Sequence, residues 1–431
     1  MKRRSCRAGI LLLLASAPLV SAQKPPRARV AIKAARLIDP KSGRVVENPV
    51  ILVEGERFSA VGRNLEVPPE TRVIDLGNST VLPGLIDCHD HLTSNPEHSG
   101  YSGLGISVPR AAVIGAGNAR KTLEAGFTSV RNVGADGYAD VALRDGISDG
   151  DVVGPRMLVS GPALGMTGGH ADNNLLPAEF RYRSEGIADG PWQIRARVRE
   201  VVKYGADLVK FCATGGVLSR GDQPGTQQYT LEEMTALVEE AHRLGRRVAA
   251  HAHGASGIAD ALRAGVDSVE HASLIDDEGI RLAKERGAFL VMDIYNDDYI
   301  LQHGADVGML PESLEKERKI GQAQRDNFAR AYRAGCRMAF GTDGGVYPHG
   351  ENARQFRYMV QYGMTALDAV RSATTVAAEL LGWADRVGAV EKGYYADLVA
   401  CAGDPLQDVR LLERPNFVMK GGSVIRHDSA R

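Results

Sequence analysis

Cysteine is scarce in this sequence, with five residues in 431 and no CxxC pair. That excludes the dense disulfide framework of a stapled mini-domain. An excess of either charge is missing too, since 52 Lys and Arg stand against 53 Asp and Glu. No polybasic surface for nucleic acid is therefore expected. No apolar run reaches the roughly 20 residues needed to span a bilayer. What is present is a chain that is 44% hydrophobic and 24% charged, with 49 glycines. Such a composition belongs to a folded globular protein and excludes extended disorder, collagen-like repeats and coiled coil as the main architecture. The length implies roughly two to three domains.

The start of the chain differs from the rest. Lys2, Arg3, Arg4 and Arg7 precede an apolar run from Ala8 to Val20, and Val20-Ser21-Ala22 stands before Gln23. A basic start, a short apolar stretch and small residues at the cleavage point read as a signal peptide over residues 1–22. Cys6 lies ahead of the apolar run and so is not placed for lipid attachment. Removing the leader takes away four basic residues and leaves 48 against 53 acidic ones, a net charge of -5. The expectation is a mildly acidic exported protein, periplasmic or secreted, with no stable membrane association after cleavage. The remaining Cys88, Cys212, Cys336 and Cys401 are far apart in sequence and are expected to be buried free thiols.

Short Val, Ile and Leu runs at 29–33, 50–53, 58–61 and 71–75, separated by turn residues, predict strands. The same style returns at 396–400, 417–420 and 423–426. Residues 29–82 and 385–427 are therefore expected to form one discontinuous β-sandwich domain from both ends of the chain. Between them, residues 83–384 alternate strand and helix patterns. Strands are predicted at 84–91, 128–134, 156–162, 208–213, 247–253, 268–272, 289–295 and 337–343. Helices are predicted at Trp192–Tyr204, Thr230–Leu244, Ile258–Ala264 and Glu278–Arg286, with a final one at Thr365–Leu381. The fold class expected is α/β, a (β/α)8 TIM barrel beside the small β domain.

Metal-binding side chains concentrate at the ends of these strands. His89 and His91 are two apart on one strand, so they share a face and can meet one ion. Asp87 is expected on that face, with Cys88 and Asp90 on the other. Lys210, His251, His271 and Asp343 fall at or near the carboxyl ends of the fourth, fifth, sixth and eighth strands, the rim on which barrel active sites are built. A lysine inside an apolar strand is costly without a partner. Together the six residues point to a metal centre. His170 after Gly168 and Gly169, Tyr229 ahead of a helix, His253 on the face of His251, Ser94 and Arg220 are further rim candidates for holding an oxyanion or a substrate carboxylate.

The run 82–91 ending in His89, Asp90 and His91, followed by Lys210, the HAHG run 251–254, the VEH run 269–271 and the GTD run 341–343, resembles the metal-dependent amidohydrolase superfamily over nearly the whole chain. The run 160–170, ending in His170, and the lysine strand resemble its imidazolonepropionase-like branch of Xaa-Pro and related dipeptidases, with ochratoxin-degrading amidohydrolases among the relatives. The resemblance implies two divalent ions. His89, His91 and Asp343 would bind the buried one, His251 and His271 the more exposed one, and Lys210, N-carboxylated by CO2, would bridge them. Zinc suits such ligands, as do manganese, iron and cobalt. Attack of a metal-bridging hydroxide is implied, with Asp343 transferring the proton and His170 and Tyr229 assisting catalysis.

The substrate expected from this resemblance is a small amide flanking a C-terminal amino acid, in a dipeptide, an N-acyl amino acid or an ochratoxin-like amide. Hydrolysis of a cyclic amide, a lactone or a phosphotriester is the enzymatic alternative, and a secreted binding protein on the same scaffold the non-enzymatic one. A deaminase is disfavoured, because deaminases of the superfamily typically lack the bridging lysine. A homo-oligomer is also implied.

Overall fold

The computed structural model describes residues 29–428, so the predicted leader and Cys6 lie outside the described residues. Eight parallel strands run through the middle of the chain. Strand 1 (Leu85–Asp90), strand 2 (Phe127–Asn132) and strand 3 (Arg156–Val159) form one sheet in the order 3-2-1. Strand 4 (Leu208–Cys212), strand 5 (Arg247–Ala252), strand 6 (Ser268–His271), strand 7 (Phe289–Val291) and strand 8 (Arg337–Met338) form a second sheet in the order 4-5-6-7-8. Hydrogen bonds tie the two sheets at both edges. Asp207 N donates to Val159 O at 2.7 Å, and Cys88 N donates to Phe340 O at 2.9 Å.

Helices follow the strands, and some of them start at side-chain caps. Leu231–Arg243 begins with a capping box in which Thr230 and Glu233 satisfy each other's backbone N–H. Asp276 caps Asp277–Arg286 through Gly279 N, and Gly287 ends that helix in the left-handed conformation. Phe211, Val209, Val248, Ala250, Val269, Leu290 and Phe340 are fully buried among these layers.

The observed strands are shorter than the sequence pattern at their carboxyl ends, for definite reasons. Residues beyond Val291 leave the sheet because the N–H groups of Ile294 and Tyr295 donate to Gln355 Oε1, at 3.1 and 3.0 Å. The chain after Met338 turns at Asp343, whose φ is +57°. The single final helix expected over Thr365–Leu381 is two helices, Ala366–Ser372 and Thr375–Leu381. The break is where the carbonyls of Ser372 and Ala373 turn outward to accept from Phe340 N and Ile86 N, at 3.0 and 2.8 Å.

Both ends of the chain contribute to one six-stranded sheet, in the order 423–427, 417–420, 398–402, 79–83, 36–39, 44–47. A four-stranded sheet, in the order 57–63, 49–54, 29–33, 72–75, lies against it. One buried apolar cluster draws Ile32, Ile51 and Phe58 from the smaller sheet and Val81, Leu398 and Phe417 from the larger. Cys88, Cys212, Cys336 and Cys401 are buried free thiols. No helix among the described residues is long and apolar enough to cross a membrane.

Candidate metal and catalytic site

The carboxyl ends of the parallel strands surround a cavity of about 400 Å³. Strand register gathers the lining. Cys212, two residues past Lys210, pairs with His251, and Ala252 pairs with His271, so the three polar side chains reach the same end of neighbouring strands. His89, His91, Lys210, His251, His271 and Asp343 all line this one cavity. Asp343 Oδ1 lies 3.3 Å from Nε2 of both His89 and His91. Both His271, at φ +67°, and Asp343 hold left-handed backbone conformations that a non-glycine residue adopts only under constraint from its surroundings.

Each imidazole is oriented from behind. His89 Nδ1 meets Glu270 Oε2 at 3.0 Å, and Glu270 is itself held by Arg131 Nη2 at 2.7 Å. His91 Nδ1 donates to Gly134 O at 3.2 Å, and His271 Nδ1 meets Asp293 Oδ1 at 2.8 Å. His253 Nδ1 donates to Ser273 Oγ at 2.7 Å, and the Ser273 hydroxyl donates to Gln324 Oε1 at 2.6 Å. A ring that donates from one nitrogen keeps a lone pair on the other, the form that binds metal.

Electrostatics favour that form at three of the rings. Burial, reinforced by neighbouring imidazoles, pushes His251, His253 and His271 well below the usual histidine range. Burial alone would raise the Asp343 carboxyl, but His89 and His91 more than offset it and hold the group well below the usual carboxylate range. Burial also lowers Lys210. Its side chain is 3% exposed, and its ammonium makes no hydrogen bond or ion pair with any described residue.

Three sets of ligand atoms lie within 4.8 Å of one another: His89, His91 and Asp343; His251, His253 and His271; and His271, Asp293 and Asp343. Neutral imidazoles with carboxylates are a suitable donor set for a divalent transition metal. His89 Nε2 is also buried without a hydrogen-bond partner. The residues therefore fit divalent metal.

Among the other predicted residues, His170, His253 and Ser94 line the cavity. His170 stacks on His251 with ring centroids 4.1 Å apart, and donates from Nδ1 to Ser219 Oγ at 2.7 Å. Burial lowers its pKa to about 4, against the opposing charge of Asp222.

Tyr229 and Arg220 do not meet their expectation. The Tyr229 side chain is 1% exposed, is absent from the lining, and donates its hydroxyl to Ala188 O at 2.8 Å. Arg220 is exposed and donates to Tyr101 Oη at 2.9 Å. Asp87 also leaves the face of His89 and His91. A register irregularity between Asp87 and Asp90 breaks the alternation, and Asp87 Oδ2 accepts from Thr342 at 2.5 Å and Asn352 at 2.8 Å.

Sequence reasoning missed Asp293, Asn296, Gln324 and Glu317, all of which line the cavity. Asp293 carried a usable signal, being an acid directly after the apolar run Phe289–Met292. The others sit on helices, where no strand-end rule points to them.

A cavity at the carboxyl ends of parallel strands, lined by imidazoles and carboxylates, defines the class: an α/β enzyme whose residues can hold divalent metal. Residues 80–425 match the Amidohydrolase family. Over 97% of its length the chain is 33% identical to ochratoxinase of Aspergillus niger, of which it covers 91%. It superposes with a TM-score of 0.87 on the crystal structure of a Xaa-Pro dipeptidase with bound methionine in the active site, at 36% identity, covering 92% of this chain and 99% of that one. A prolidase complexed with N-methylphosphonate-L-proline gives 0.85 at 33% identity, covering 93% of this chain and 100% of that one. The chain belongs to the amidohydrolase family, and it is a hydrolase acting on amide bonds.

Proposed function

We propose that this chain is a binuclear metal-dependent amidohydrolase that cleaves the amide next to a C-terminal amino acid, in dipeptides, N-acyl amino acids or ochratoxin-like amides. The observation that carries the reading is Lys210, a buried ammonium without a partner in a cavity it shares with four ligand-type histidines and Asp343. An unpaired buried cation is expensive. Carboxylation of Nζ by CO2, with release of a proton, would turn it into an anion able to ligate metal, and burial helps by favouring the neutral amine that reacts.

In this reading His89, His91 and Asp343 hold one ion and His251 and His271 the other. The pair, for which zinc is our proposal, would supply an acidified water and polarise the scissile carbonyl when bound. Asp343 accepts a proton at a carboxylate oxygen and returns it to the leaving nitrogen, without which an amide does not release its amine. His170, its Nδ1 committed to Ser219, contacts the substrate from the cavity wall. His253, which falls within ligand distance of His251 and His271, faces the same substrate.

The architecture goes with it. We read the two parallel sheets as a closed (β/α)8 barrel over 83–384, and the sheets shared by 29–82 and 385–427 as one composite β-sandwich domain. The protein is an exported homo-oligomer, its leader at residues 1–22.

The test is metal analysis and hydrolysis of a dipeptide and N-acyl amino acid library on one sample, for the wild type and Lys210→Ala. Two ions per chain and hydrolysis in the wild type, with both lost in the variant, is the expected result. Full activity in Lys210→Ala would overturn the binuclear reading. Hydrolysis of no library member would overturn the substrate class.

A further inference from the structure

The His253 ring is held by a chain of side chains that ends on the backbone. Nδ1 lies 2.7 Å from Ser273 Oγ, Ser273 Oγ lies 2.6 Å from Gln324 Oε1, and Gln324 Nε2 donates to the carbonyl of Asp293. All four residues are buried, and Gln324 stands on the helix Pro311–Arg333. Gln324 has no part in the proton transfer at Asp343.

The far end of the chain fixes its direction. A backbone carbonyl only accepts, so the amide atom against Asp293 O is the nitrogen, and Oε1 is the atom turned to Ser273. Oε1 only accepts as well, so the Ser273 hydroxyl directs its single proton there. Toward His253 that hydroxyl can then only accept. The ring therefore carries its proton on Nδ1, and neutral His253 turns a lone pair at Nε2 to the cavity it lines.

Gln324 supplies this direction without being needed to hold the backbone. Asn327 Nδ2 donates to Ser273 O at 2.8 Å and Arg330 Nη2 to Ile275 O at 3.1 Å, so the same helix grips the 273–275 segment at two other places. Without an acceptor at position 324, the hydroxyl is free to donate to Nδ1, and the proton of the ring belongs on Nε2.

His170 has a similar support with a different end. Its Nδ1 lies 2.7 Å from Ser219 Oγ, and the Ser219 hydroxyl donates to Asp222 Oδ1 at 2.6 Å. Lys316, on the same helix as Gln324, donates to that carboxylate at 2.8 Å. The two supports share no side chain, so His170 is an internal control for His253.

The geometry points to Gln324 as a positioning residue that sets which nitrogen of His253 bears the proton. The substrate then meets an acceptor at Nε2: neutral His253 takes a hydrogen bond from an N–H or O–H and gives none to an oxyanion or a carboxylate. The effect on substrate rests on the amide-hydrolase reading above, whereas the position of the proton does not.

The experiment is solid-state 15N NMR of the zinc-loaded full-length enzyme labelled in its histidine rings, with His253→Gln and His170→Gln spectra for assignment. In the wild type His253 should be protonated on Nδ1. In Gln324→Met, close in volume but without an acceptor for Ser273, the proton should move to Nε2 in most molecules while His170 stays unchanged. In Gln324→Glu a carboxyl oxygen still accepts from Ser273, and the proton should stay on Nδ1. A merely structural role predicts the reverse order, a buried methionine tolerated and a buried glutamate not. In parallel, kcat/KM on a dipeptide or N-acyl amino acid that the wild type cleaves should fall about 10-fold or more in Gln324→Met, mainly through KM, and recover in Gln324→Glu. Protonation on Nε2 in the wild type, or on Nδ1 in Gln324→Met, would overturn the proposal. Should Gln324→Met not fold, Ser273→Ala reads the same link: the ring should lose its preference for Nδ1, and an unchanged ring would overturn the relay. The expected spectra with unchanged kinetics in Gln324→Met would overturn the effect on substrate. The expected spectra from a wild type that cleaves no amide would support the relay and overturn the hydrolysis reading alone.

Discussion

The Asp293 carboxylate lies 2.8 Å from His271 Nδ1, and Asn296 Nδ2 holds its other oxygen at 2.5 Å. This contact fixes the ring so that Nε2 is the nitrogen left for the cavity. Asp293→Asn removes the acceptor that selects this tautomer. Metal affinity and kcat/KM should fall by about 10- to 100-fold, the usual effect of losing a carboxylate behind a ligating histidine. Thermal unfolding of the metal-free protein, run alongside, should change little, and a large drop there would assign Asp293 a structural role instead.

Asp343 touches both His89 and His91 and stands in two of the three ligand sets. Asp343→Asn keeps the volume but cannot take up a proton at neutral pH. Turnover should fall by about 10²- to 10⁴-fold with the far-ultraviolet circular dichroism unchanged. Near-normal rates would remove Asp343 from proton transfer.

Arg131 is the support on which Glu270 and then His89 rest. It donates to Glu270 at 2.7 Å, to Ser268 Oγ at 2.9 Å and to Cys88 O at 2.5 Å, all buried. Burial would raise Glu270, and Arg131 and His89 outweigh it, leaving the group below its usual range. Arg131→Met strands that carboxylate without its counter-ion. Urea denaturation should show a loss of about 3–5 kcal/mol, typical of a broken buried pair. A loss under about 1 kcal/mol, the value of an exposed pair, would contradict the buried-pair account.

Asp222 links the loop that carries Ser219, the partner of His170, to Lys316 at 2.8 Å. Burial opposes its ionisation, but Lys316 and Ser219 outweigh it and hold the carboxyl below its usual value. A depressed carboxyl stabilises the fold above its unfolded pKa of about 3.9, and that contribution is lost as pH falls through the lower folded value. Urea midpoints measured from pH 6 downward should therefore drop more steeply below about pH 4 in the wild type than in Asp222→Asn. Parallel curves would show that Asp222 does not carry this acid limb.

The candidate site was legible where its residues end apolar strands. His89, His91, His251, His271 and Asp343 fall at or near the ends of such runs, Lys210 stands inside one, and the structure brings all six to one cavity. Asp293 obeys the same rule and went unread because the predicted strand ran past it to residue 295. Tyr229 shows the opposite error. Its position between a strand and a helix suits a rim residue, yet its hydroxyl is drawn inward by the carbonyl of Ala188, 41 positions earlier. Asp87 fails for a local reason, since the register shift between it and Asp90 cancels the alternation on which face assignments depend.

What the sequence determined by itself is the set of short-range properties: strand and helix periods, caps, and chemically unusual side chains at strand ends. Those follow from the geometry of a few consecutive residues. Which helix side chains enter the cavity was decided only by the tertiary structure. Glu317 and Gln324 reach it because helix Pro311–Arg333 packs across the ends of strands that precede it by many residues. Asp297 meets Glu317 because Gly321 leaves space between two helices. Such contacts depend on loop lengths and on the volume left by neighbours. No pattern along one segment encodes either.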